Sequence, residues 1–187
     1  MKKSLHQMTK EELGKLFPII LSEYQENWKQ LYQDEKEVIT EFIGKNLIEI
    51  DHIGSTSVPG IMAKPTIDIL VQIDDSTDLE EFIEKFKNHG YNYIPQSTKP
   101  APGMMYTKGY SENGFVGQTY HVHVRYQGDW EEICFRDYLI RHPEIAREYV
   151  RLKLLLQEKY RNDRELYTEG KGEFIRRVCC LAREEDM

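Results

Sequence analysis

The sequence predicts an α+β fold in which a mixed β-sheet is followed by a C-terminal helical bundle, and three observations carry that reading. Short apolar or alternating runs that suit strands are interleaved with helical periodicity as far as about residue 128. Ser111, Glu112, Asn113 and Gly114 supply hairpin-turn chemistry between two such runs, so part of the sheet is antiparallel. Beyond Gly128 the pattern is helical to the end. The chain has 187 residues, no internal repeat and no Gly/Ser linker, so one domain is expected, with an αβ core over about 19–128 and a helical part over about 130–187.

Taken in order, Thr9 to Glu12 reads as a capping box that opens a short helix, which Pro18 stops. Ile19 to Tyr24 is expected to be a short strand. Trp28, Leu31, Tyr32, Val38, Ile39, Phe42 and Ile43 recur at helical spacing between Gln25 and about Asn46. Leu47 to Ile53 alternates like a strand and runs into a loop from Gly54 to Gly60. Thr66 to Ile73 is the second strand, with Asp68 on the face opposite Ile67 and Ile69. Ser76 or Thr77 is expected to cap a helix ending near Gly90. Tyr91 to Ile94 is a strand, Gln96 to Gly103 an exposed loop, and Met104–Tyr110 with Phe115–Tyr126 the hairpin. Helices are expected over about 130–141, from Pro143 onwards, and from about Asp163 to the end. The run Leu154 to Leu156 and the pair Cys179 and Cys180 are expected to be buried.

Composition narrows the function. A formal charge of −7 argues against a whole-surface nucleic-acid binder but leaves room for a local basic pocket, since eleven Lys and Arg residues fall between 136 and 177. No apolar run approaches the ~20 residues of a membrane span. Met1 to Ser4 leads into polar residues, and three cysteines lack a C-x-x-C spacing, which together predict a reduced, cytoplasmic protein.

The densest chemistry lies between Asp51 and Val71. Gly54 lets backbone and ligand approach, Ser55 and Thr56 offer hydroxyl and N–H groups to a phosphate, and Lys64 follows. Asp68 stands in an almost wholly apolar strand, where a carboxylate needs a cation, a metal or a hydrogen-bond network. The bland alternative is a tight turn and a structural acid. In the run from Thr119 to Arg125, His121, His123 and Arg125 point to one face. Beside the Asp68 strand they would gather two imidazoles and a carboxylate, a metal site or a phosphate pocket. The alternative is a half-buried polar strand. Tyr167 and Lys171 would share a helix face, Arg136 and Asp137 would pair, and Gly170 and Gly172 suggest a close approach by backbone or ligand.

These blocks together resemble the GrpB family: Tyr24 and Trp28, His52 to Gly60, Ala63 to Ile69, His121 to Val124, Phe135 to Leu139 with His142 and Pro143, then Tyr167 to Lys171 and Phe174 to Arg176. The resemblance implies a nucleotidyltransferase-type sheet and a kinship with proteins fused to dephospho-CoA kinase. In that superfamily a Gly-Ser follows one strand and carboxylates on later strands hold metal ions. Gly54 and Ser55 match the Gly-Ser, and Asp68 matches the second acid. Thr66 stands where the first acid belongs, and His121 and His123 where the third would be. The implied catalytic and metal residues are Asp68, His121 and His123, with Mg²⁺ or a transition metal. The implied contacts to a nucleotide or other phosphorylated small molecule are Gly54, Ser55, Thr56, Lys64, Arg125, Arg136, Tyr167 and Lys171. Two alternatives stand beside nucleotidyl or phosphoryl transfer: a non-catalytic module for nucleotides or CoA precursors, and a metal-dependent enzyme of another type. The C-terminal helices are expected to close over this pocket.

Overall fold

Alternation and burial shape the sheet first. The computed structural model describes residues 3–185, and within it five strands stand in the order β1-β2-β5-β4-β3. These are β1 (Leu47–Ile53), β2 (Thr66–Ile73), β3 (Asn92–Pro95), β4 (Met104–Ser111) and β5 (Gly114–Tyr126). β2 runs parallel to β5 and antiparallel to β1, while β4 is antiparallel to both β5 and β3, so the sheet is mixed. Ile67, Ile69, Val71 and Ile73 are fully buried on one face of β2 and pack with Val122 and Val124 of β5. That face is covered by α2 (Asn27–Ile43) through Trp28, Ile39 and Ile43, and by α3 (Leu79–Asn88) through Phe82 and Phe86. Burying each such side chain contributes about 1.5–3 kcal/mol.

The other face carries the polar residues. α1 (Lys10–Leu16), α4 (Glu131–Arg141), α5 (Pro143–Tyr160), α6 (Arg164–Glu169) and α7 (Gly172–Glu185) complete the chain. Phe135, Leu139, Tyr149 and Val178 of α4, α5 and α7 form a second core with Val58 and Ile61, which follow β1. The loop between β1 and β2 is thereby held by the helical bundle. Thr9 caps α1 by accepting from the Glu12 N–H, as expected.

Five local expectations need correction. Ile19 to Tyr24 is extended but forms only a paired contact of Ser22 with Ala63, because the Ile19 and Leu21 N–H groups donate to Arg161 and Gln157 at the end of α5. Asp78, not Ser76 or Thr77, caps α3, its carboxylate accepting from the N–H groups of Glu80 and Glu81, while Asp74 engages Ser76. The expected last helix is two, α6 and α7, and at the break between them Gly170 leaves room for Leu156, since a Cβ there would come within 2.5 Å of Leu156 Cδ2. Leu154 and Leu155 are exposed and only Leu156 is buried, since consecutive helical positions differ by about 100° and cannot share a face. For the same reason Cys179 is buried and Cys180 is not.

Candidate functional site

The register of β2 against β5 sets Asp68 opposite His121 and Leu70 opposite His123, so the polar face gathers all three chemical groups that the sequence nominated. His121 Nδ1 lies 3.0 Å and His123 Nε2 3.9 Å from Asp68 Oδ1. Among the described residues these three form one group whose ligand atoms all lie within 4.8 Å of one another, a spacing suited to a metal ion. Burial alone would raise the Asp68 pKa. The hydrogen bonds it accepts from the two imidazoles outweigh that and hold it as a carboxylate, well below the usual range. His121 is pushed down to about 4, first by burial and then by Lys64 and Arg164, against the pull of Asp68. Its imidazole is therefore neutral at neutral pH.

Gly54 serves this carboxylate directly. Its φ of +72° suits glycine, and a Cβ there would stand 2.6 Å from Asp68 Oδ2. The turn after β1 and the acid on β2 are thus packed against each other. Ser55 begins the short 3-10 turn that follows and hydrogen-bonds the Tyr149 hydroxyl of α5.

Three basic side chains gather at this site: Lys64 and Lys171 each feel the charge of Asp68, and Arg164 bears on both lysines and on His121. Lys64 is half-buried and lowered to about 7, by desolvation first and then by Arg164 and Lys171 nearby. Lys171 is lowered by desolvation and by Arg164, with Asp68 opposing. Its ammonium stands 4.7 Å over the Tyr167 ring. The Arg164 guanidinium lies 5.5 Å over the Tyr110 ring. Behind them the buried Lys153 amine donates to the Met62 carbonyl, lies 4.8 Å over Tyr149 and is lowered to about 7 by desolvation and by Lys171. Charged amines held this close repel one another, and the arrangement suits a ligand with several negative charges.

Other nominated residues are occupied elsewhere. Thr56 is buried, its hydroxyl donating to the Thr66 carbonyl and meeting His52 Nε2 at 3.0 Å. Thr66 shares a 2.9 Å hydrogen bond with Thr119. Arg125 shares the face of His121 but sits four residues farther along β5, opposite Gln72, where it lies near Glu132 and over Trp130. Arg136 ties α4 to β1 through Asp51 and the His52 carbonyl and also pairs with Asp137. Tyr167 is buried and supports Lys171 from below. Lys171 and Tyr167 meet across the break between α6 and α7 rather than along one helix.

Four residues escaped the sequence reading: Tyr110, Tyr149, Lys153 and Arg164. Tyr110 has the strand parity of the core-facing Tyr106 and Lys108, but a bulge at Gly109 shifts the register and brings its hydroxyl 2.8 Å from His121 Nε2. Gly109, with φ +88° and Gln118 O within 2.4 Å of a built Cβ, was the available signal. A lysine four residues after Tyr149 on the apolar face of α5 was the signal for Lys153. Arg164 had none beyond the basic run.

Comparison with known proteins adds a consistent family signal. The family model described as "GrpB protein" matches residues 18–180. The glutamate-rich protein GrpB of Alkalihalophilus pseudofirmus is 40% identical over 161 residues, covering 84% of this chain and 91% of its own. The UPF0157 protein YqkA of Bacillus subtilis is 36% identical over 82% of this chain, which spans 44% of that protein. A dephospho-CoA kinase of Mycolicibacterium paratuberculosis is 24% identical over 71% of this chain and 38% of its own. Among solved structures, the conserved protein GrpB from Enterococcus faecalis aligns with a TM-score of 0.76 at 30% identity, over 89% of this chain and 98% of its own. No helix among the described residues is long and apolar enough to cross a membrane.

Proposed function

Because the chain belongs to the GrpB family, we propose that it binds a nucleotide or another phosphorylated small molecule at the polar face of its sheet and transfers a nucleotidyl or phosphoryl group with the help of a divalent metal. The observation that carries the reading is that Lys64 and Lys171, with Arg164 bearing on both, stand beside the group of Asp68, His121 and His123. The cations would neutralise the phosphates, and Ser55 with Tyr149 would add hydroxyl contacts. The kinship with a dephospho-CoA kinase points the same way.

The donor set fits a metal. Tyr110 meets His121 at Nε2, which leaves Nδ1 turned toward Asp68, and two imidazoles with one carboxylate favour a transition metal over Mg²⁺. A bound ion would polarise a phosphoryl oxygen. Thr66 and the two histidines stand where the superfamily has acids, so a single ion, rather than a pair, suits these residues.

Thermal-shift measurements test this. Nucleotides and CoA precursors are added with and without Mg²⁺, Mn²⁺ or Zn²⁺, to the wild type and to Asp68→Ala. A ligand at 100 times its Kd adds about 2.7 kcal/mol of stability. The expected result is a shift with a phosphorylated compound that Mn²⁺ or Zn²⁺ enlarges in the wild type but not in Asp68→Ala. Absence of any shift from phosphorylated compounds overturns the proposal, and a shift indifferent to metal confines it to binding.

A further inference from the structure

A cavity of about 590 Å³ opens beside the cation cluster, on the same face of the sheet. Its floor is the continuation of that face across β4 and β3, since Thr107 pairs with His121, Met105 with His123, and Asn92 and Ile94 with these in turn. Tyr110 and Arg164, stacked on each other, line it on the side of the cluster: Tyr110 is bonded to His121, and Arg164 bears on Lys64 and Lys171. We propose that this chamber receives the base of a nucleotide whose phosphates lie among Lys64, Lys171 and Arg164. The inference rests on the phosphate reading above and adds the chemical class of the ligand.

Size and lining argue for the base. Small-molecule sites occupy about 300–1,000 Å³, so the chamber far exceeds the need of a phosphate alone and suits an organic body. Met105, Ile94 and Phe17 offer flat or polarisable apolar surface, while Asn92 and Thr107 set polar groups at its edge. That mixture suits a heterocycle, which presents apolar faces and hydrogen-bonding edges.

The roof is the N-terminal segment, which precedes residue 18, where the family match begins. Gly14 of α1 sits so tightly on the turn after α5 that a Cβ would lie 1.8 Å from the Asn162 carbonyl oxygen. The Asn162 amide donates in return to the Gly14 carbonyl at 2.8 Å, and Lys10 pairs with Glu165. α1 contains no buried residue, so displacing it opens the chamber without removing core.

The experiment is calorimetric titration of the full chain with tripolyphosphate and, separately, with ATP, GTP, CTP and UTP. Met105→Trp fills the chamber from its floor, and Gly14→Val unseats its roof. At least one nucleotide is expected to bind about tenfold tighter than tripolyphosphate, with that gain lost in both variants while tripolyphosphate binds each variant as it binds the wild type. Equal affinity for tripolyphosphate and all four nucleotides overturns the chamber and leaves the phosphate reading standing. A gain that survives both substitutions also overturns it. If neither tripolyphosphate nor any nucleotide binds, the phosphate reading falls and the chamber with it.

Discussion

Lys153 is buried with its amine against a backbone carbonyl and, among the described residues, no carboxylate paired with it, and its pKa is lowered to about 7. Such a group costs stability whenever it is charged. Lys153→Met keeps the apolar stem and discards the charge. It is expected to raise the stability of the ligand-free protein by about 1 kcal/mol at pH 6.5, read as a higher Tm, while weakening anion binding. A variant less stable than the wild type would mean that the amine is structural. Residue-scale chemistry was legible only where it was local. Asp68, His121 and His123 could be nominated from strand parity, because period 2 fixes which side chains share a face. Arg164 and Tyr149 could not, since their relevance comes from helices folding back across the sheet.

At the scale of elements, α2 and β4 are joined beneath the sheet by an ion pair. Glu35 is buried and accepts from Lys108 Nζ at 2.7 and 3.0 Å, and the Tyr91 hydroxyl donates to it as well. Glu35→Ala strips the acceptor from both donors and is expected to cost about 2–4 kcal/mol of unfolding free energy, measured by urea titration. A loss below about 0.5 kcal/mol would show the pair to be energetically idle. β1 and β2 were legible to the residue because their apolar alternation is backed by burial. The hairpin was legible from its turn. The bulge in β4 was not, because nothing in the periodicity distinguishes Tyr110 from a core tyrosine, and only the surplus glycine at 109 hinted at the shift. The break between α6 and α7 is hidden in the same way: Gly170 and Gly172 are visible in the sequence, but Leu156, whose side chain fills the space at Gly170, lies fourteen residues upstream.

For the molecule as a whole, the buried titratable groups act in concert. His52 and His121 are lowered to about 4, His52 chiefly by burial, so between pH 6.5 and 4 the unfolded chain takes up protons that the folded one refuses. Stability falls as pH drops through that window. Lys64 and Lys153 are lowered to about 7, so between pH 7 and 10.5 the unfolded chain again holds more protons, and stability rises with pH. The phenols of Tyr91, Tyr106 and Tyr167 are raised by burial, which reverses the slope above about pH 10. The ligand-free protein is therefore expected to gain thermal stability steadily from pH 5 to pH 9. A Tm that is flat or falls across that range would contradict the burial of these amines. A bound polyanion should flatten the alkaline part of the profile, because it compensates the amines in their charged form.

The contact between Gly54 and Asp68 also bears on how sequences of this kind can diverge. A side chain at position 54 collides with the carboxylate, and the carboxylate keeps its room only while position 54 is bare. The two sites are therefore inherited as a couple. Replacement of the glycine alone is closed as a single step, whereas loss of the acid releases the turn to drift. A lineage that has abandoned the chemistry would be recognised by its turn: once position 68 is shortened, bulk should accumulate at position 54, and glycine there should persist only where the acid does.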